Sequence, residues 1–104
     1  MTNVVIHPRT GRHWAAVLEQ ASWHWWLVLW QPALQQLIAF WRGPWEPGGI
    51  YCTGRDPVQL WPLMCTIQHE GRRQAMRQAL NNPHIAIPPV LTGELPDALW
   101  WADG

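Results

Sequence analysis

Gly71-Arg72-Arg73 is the stretch of this sequence with the most evident chemistry. It follows a strand-like run, Leu63 to Gln68, and opens a helical pattern that reaches Asn82. A glycine at a strand-to-helix turn lets backbone N–H groups approach an anion, the helix start favours negative charge, and arginine adds a two-pronged fork. Phosphate is the ligand such a start would hold, with Gly71, Arg72 and Arg73 as its contacts. The other constellations are poorer. Cys52, Cys65, His69 and His84 are the only assembly for a metal, and their separations of 12, 3 and 14 intervening residues match no zinc knuckle. Ser22 is the only serine and lacks a glycine-flanked elbow. A Cys52 or Cys65 thiolate would need His69 close in space. Asp56 and Glu70 are not spaced as an acid–base pair. The expectation is therefore no metal, no cofactor and no active site.

The same segment carries a likeness. His69-Glu70-Gly71-Arg72-Arg73-Gln74, followed after the helix by Ile87-Pro88-Pro89-Val90, resembles the signature box of the ParB/sulfiredoxin-like superfamily. In that box an acidic-Gly-Arg-His/Arg-Arg run opens a helix and an Ile-Pro-Val strand follows. The resemblance covers residues 63–91, under a third of the chain. It implies a nucleotide- or phosphate-binding domain in which Gly71 is the turn glycine and Arg72 and Arg73 contact phosphate. The third basic position of the box is Gln74 here.

The elements that must position these residues read as follows. Thr2 to Ile6 is a β-branched first strand, ended by the turn residues His7 to Gly11. Trp14, Val17, Leu18 and Ala21 recur at helical spacing. Trp23, Trp26, Leu27, Trp30, Leu34, Leu37, Ile38 and Trp41 also form a helical stripe, but Pro32 would cost a helix interior about 3 kcal/mol. Breaking the chain there makes Ser22 to Trp30 a buried strand. Pro32 then starts a short helix, Ala33 to Arg42, closed by Gly43. Gly43 to Gly49 is a loop, Ile50 to Thr53 a short strand, and Asp56-Pro57 a capped helix start that Pro62 limits to about one turn. Arg72 to Asn82 is a helix and Ile85-Ala86-Ile87 a last strand, followed by an extended tail. No repeat or domain boundary appears. The prediction is one compact α+β domain over 1–104, a short mixed sheet packed against two or three helices.

Composition sharpens the functional expectation. Seven arginines balance seven acidic residues, there is no lysine, and the formal net charge is zero. That excludes a strong nucleic-acid binder, which needs a basic footprint. The 19 residues from Trp23 to Trp41 lack charge, yet their glutamines and proline argue against a membrane span. Met1 to Ile6 lack the basic start and apolar run of a secretory segment. A cytoplasmic protein with two free thiols is expected.

Ten tryptophans in 104 residues exceed what a small core covers. Some indoles should lie at a rim, where tryptophan and arginine are enriched among the side chains that dominate binding. Trp45, between two prolines in its loop, is either folded back or displayed. The expected role is a non-enzymatic protein–protein interaction module, of the kind a bacterial mobile element or phage uses as a small accessory or inhibitor protein. Its nominated contacts are Trp41, Trp45, Trp61, Trp100 and Trp101, with Arg72, Arg73 and Arg77 as polar partners. The partner is another protein or a second copy in a self-associating structural protein.

Overall fold

Three antiparallel strands and two helices, set out in a computed structural model that describes residues 5–100, bring the tryptophans together. Helix α1 spans Pro8–Ala21. His7 precedes it with extended backbone, its Nδ1 accepts from the Arg9 N–H, and Pro8 occupies the first helical position. The expected turn at His7 to Gly11 is thus a helix start, capped by an imidazole instead of a hydroxyl or carboxylate. Val5 and Ile6 form no strand, and the rest of the expected first strand, Thr2 to Val4, lies outside the described residues. Gly11 is a contact glycine: a Cβ there would meet the Trp30 ring at 2.2 Å.

Helix α1 ends in two successive left-handed residues, Trp23 and His24, with φ of 56° and 60°. Their N–H groups donate to the Gln20 and Glu19 carbonyls, and the chain reverses into strand β1, Trp26–Gln31. Pro32 to Gln35 is a turn, with Gln35 at φ 49°. Strand β2, Gln36–Trp41, then pairs back along β1 with Leu29 opposite Ile38. The expected helix over Ala33 to Arg42 is therefore a hairpin strand. Leu37, Ile38 and Trp41 fit a helical stripe, but Leu37, Ala39 and Trp41 fit period two as well. Pairing with β1 satisfies the backbone and buries all three. Strand β3, Tyr51–Gly54, adds to the other edge of β2. The α+β class is as expected, while the sheet is antiparallel throughout where a mixed one was predicted.

Helix α2 runs unbroken over Pro57–Ala79. Asp56 caps it through the Gln59 N–H at 2.9 Å. Three separate elements were expected here, a one-turn helix ended by Pro62, a strand from Leu63 to Gln68 and a helix from Arg72. Pro62 removes one hydrogen bond near the N-terminal end, yet a buried row of Leu60, Trp61, Met64, Gln68, Gly71 and Ala75 continues past it. The spacing of that row is helical along its whole length. It was concealed because two of its members are glutamine and glycine.

Beyond α2 the chain is extended and does not form the strand expected at Ile85 to Ile87. It returns along α2, tied by its carbonyls. Gln68 Nε2 donates to Pro89 at 2.6 Å, and Trp61 Nε1 donates to Thr92 at 3.0 Å. A 3₁₀ turn, Asp97–Trp100, places Leu99 in the core beside α1, and His13 Nε2 donates to the Ala98 carbonyl at 2.7 Å.

Two substitutions test this packing. Gly71→Ala gains about 1 kcal/mol of helix propensity but sets a Cβ 2.5 Å from Trp41 Cζ2, an overpacking worth about 1–3 kcal/mol. The expected net result in urea denaturation is destabilisation, whereas Gly93→Ala, with open space around it, changes little. A more stable Gly71→Ala would contradict the contact. Gln68 is fully buried, and its Oε1 accepts from Trp26 Nε1 at 2.9 Å. Gln68→Leu strands that indole N–H and the Pro89 carbonyl, for an expected loss of about 2–3 kcal/mol. An unchanged denaturation midpoint would show that water reaches both groups.

Candidate functional site

Strand alternation gives the sheet two faces of opposite fate. Trp26, Val28, Trp30, Leu37, Ala39 and Trp41 point toward the helices and form the core with Trp14, Leu18, Leu60, Trp61 and Met64. The opposite face carries Leu27, Leu29, Ile38, Phe40, Tyr51 and Thr53, flanked by Gln31 and Gln36 at the hairpin end. Among the described residues no helix lies over it, and Ile38 at its centre is buried by its neighbours, 9% exposed. Leu29 is 46% exposed and Tyr51 61% exposed. Phe40 and Tyr51 are cross-strand neighbours with ring centroids 5.8 Å apart. No side chain of these eight is charged. A sheet face on which the described residues leave Leu29, Phe40 and Tyr51 exposed together is unusual on a protein that works alone.

The edge beside it is closed to further strands in one place. Glu19, from α1, accepts the Val28 N–H at 2.8 Å and so occupies a main-chain donor of β1.

The contacts nominated from the sequence are scattered. Trp41 and Trp61 are core residues, 7% and 3% exposed, too little surface for an interface anchor; the nomination is corrected for both. Trp41 stacks on Trp25 at 5.7 Å and meets Trp26 at 5.2 Å, while its Nε1 donates to the Pro44 carbonyl. Trp45 is half-buried and folded back against the core. Trp100 is 59% exposed, on the 3₁₀ turn, and Trp101 lies outside the described residues. Arg73 and Arg77 both pair with Glu70, at 3.6 and 3.5 Å, on the exposed side of α2. Such surface pairs contribute under about 1 kcal/mol. Arg72 is half-buried, with Nη1 at 3.3 Å from Met76 Sδ.

The phosphate-holding geometry is not built. Gly71 is the fifteenth residue of α2, deep within the helix, buried against the Trp41 indole. Its absent side chain makes room for a ring, and the N–H groups around it are committed to helical bonds. Arg72 and Arg73 accordingly project from a helix middle, without a dipole end beside them. Among the described residues no three of His, Cys, Asp and Glu gather as a metal site, and no helix is long and apolar enough to cross a membrane. The uncharged 19-residue window is largely the β1–β2 hairpin. No protein-family model matches this chain, and no curated protein or solved structure matches it either.

Sequence reasoning passed over the outer sheet face because it assigned β2 to a helix. Read as a strand, Gln36 to Trp41 places Ile38 and Phe40 together and opposite to Leu37 and Ala39, which the period-two pattern alone would have shown.

Cys52 and Cys65 are unpaired with each other. Burial pushes the Cys52 thiol up from 9.0 to about 11, and burial likewise raises Cys65 against a smaller, opposing backbone hydrogen bond. A thiol pKa raised by folding stabilises the fold fully below about pH 9, and that contribution fades as pH climbs through the folded value. Iodoacetamide at mildly alkaline pH should therefore label folded protein far more slowly than protein in urea, with stability declining above pH 9. Equal labelling rates in both states would contradict this account.

Proposed function

We propose that this chain is a non-enzymatic protein-binding module whose contact surface is the uncovered outer face of the sheet. The observation that supports the reading is the row Leu29, Phe40 and Tyr51, exposed apolar side chains on three adjacent strands with Ile38 between them. Aromatic and aliphatic side chains in a continuous uncharged patch suit the centre of an interface, where charge is depleted. Holding them on paired strands removes most of the ordering cost that a loop would incur. A partner that lays an apolar helix or sheet across this face gives the architecture its missing layer. A small accessory or inhibitor role, acting through another protein, fits a chain of this size.

Leu29→Glu/Phe40→Glu tests the reading. Both side chains are outside the core, so the variant should keep its thermal transition. The expected result is that a tagged wild type retains one protein from host lysate and the variant does not. Light scattering on the same pair separates the self-associating case, in which wild type is dimeric and the variant monomeric. Equal capture by both proteins, or a monomeric wild type that retains nothing, would overturn the proposal.

A further inference from the structure

A second surface lies away from the sheet face, at the C-terminal end of α1. An open cleft of about 380 Å³ is bounded by Trp23 on one side and by the returning segment, including Leu91, Glu94, Leu95 and Asp97, on the other, with Trp61 also lining it. The wall is held in place from behind: the Thr92 carbonyl accepts from Trp61 Nε1 and, at 3.6 Å, from the Cys65 thiol.

Two features of the cleft call for a ligand. Its only charged lining residues are Glu94 and Asp97, both exposed, and neither forms an ion pair among the described residues. The charged lining is therefore wholly acidic, with Leu91 and Leu95 among its apolar members. The second feature is Trp23, which is 72% exposed and takes no part in the core. Its left-handed backbone, φ 56°, closes the end of α1. Glycine or asparagine meets that need with less strain, so the closure does not explain an indole. An indole and two carboxylates that line one cleft are complementary to a flat organic cation.

We propose that this cleft binds an arginine side chain of a partner peptide. The guanidinium plane lies against the Trp23 indole, its N–H groups donate to the Glu94 and Asp97 carboxylates, and its methylene stem rests on Leu91 and Leu95. Arginine is preferred to lysine because its cation is planar, weakly hydrated and presents a fork of donors. This contact is independent of the sheet face, so either surface can fail its test without the other.

The probe is the capped tripeptide acetyl-Gly-Arg-Gly-amide, titrated while the indole N–H signals of the ten tryptophans are followed by NMR. The expected result is saturable movement of the Trp23 and Trp61 signals, with Trp26 and Trp41 still. The citrulline peptide, isosteric but neutral, should bind about tenfold more weakly, and added salt should weaken the arginine peptide. Trp23→Ala should lower affinity about threefold with its thermal transition retained. Glu94→Gln/Asp97→Asn should lower it about tenfold and abolish the salt dependence. Equal binding of arginine and citrulline peptides, an affinity unchanged by both variants, or no saturation would overturn the proposal. So would tetramethylammonium binding as tightly as the peptide, which would make this a site for small free cations.

Discussion

The Trp41 indole is the contact around which the other elements are arranged. It projects from the middle strand into a slot with glycine on two sides: a Cβ at Gly43 or Gly71 would come within 2.2 or 2.5 Å of its ring. Trp25 and Trp26 close on it from the start of β1. One ring thus fixes how near α2 may approach the sheet, where the loop after β2 must run, and how the α1–β1 connection enters. Gly71 lowers the helix preference of α2, and the close approach it permits buries a large ring whose apolar area more than offsets that cost. Gly11 against Trp30 repeats the device at the other helix.

With one exception, the polar side-chain groups that enter this core do so in paired form. Gln68 joins Trp26 of the sheet to Pro89 of the returning segment, so helix, strand and tail share one buried amide. The Trp61 and Trp41 indoles each donate to a backbone carbonyl in a segment without regular structure. These loops are therefore secured by the same side chains that fill the core, which suits a small chain with little apolar area to spare for them. Trp30 Nε1 is the exception among the described residues, buried with no partner.

Of the nine described tryptophans, five are buried, Trp25 and Trp45 are partly buried, and Trp23 and Trp100 are exposed. The indoles thus build the core first, and the surface most suited to a partner consists mainly of other residues. Leu29, Phe40 and Tyr51 stand on the far side of a sheet whose near side holds Trp26, Trp30 and Trp41. Burying one face of each strand dictates what the other face displays.

Several elements were legible from local pattern alone. Trp14, Val17 and Leu18 mark α1, Asp56-Pro57 marks the start of α2, and the aromatic run to Trp30 marks β1, because each of these signals depends only on neighbours along the chain. The α+β class follows from them, and the count of indoles alone predicts that some lie outside the core. What tertiary structure decided was the outcome wherever a local rule permitted two answers. Leu37 to Trp41 satisfies helical and strand periods alike, and only pairing with β1 selects the strand. Pro62 disfavours a continuing helix locally, and the burial of Trp61, Met64, Gln68 and Gly71 along one face outweighs it. Gly71 satisfies the pattern of a turn glycine, yet its environment is a ring that arrives from a strand thirty residues earlier. Such contacts depend on which surfaces meet in space, and residue order carries that information only through the folded whole.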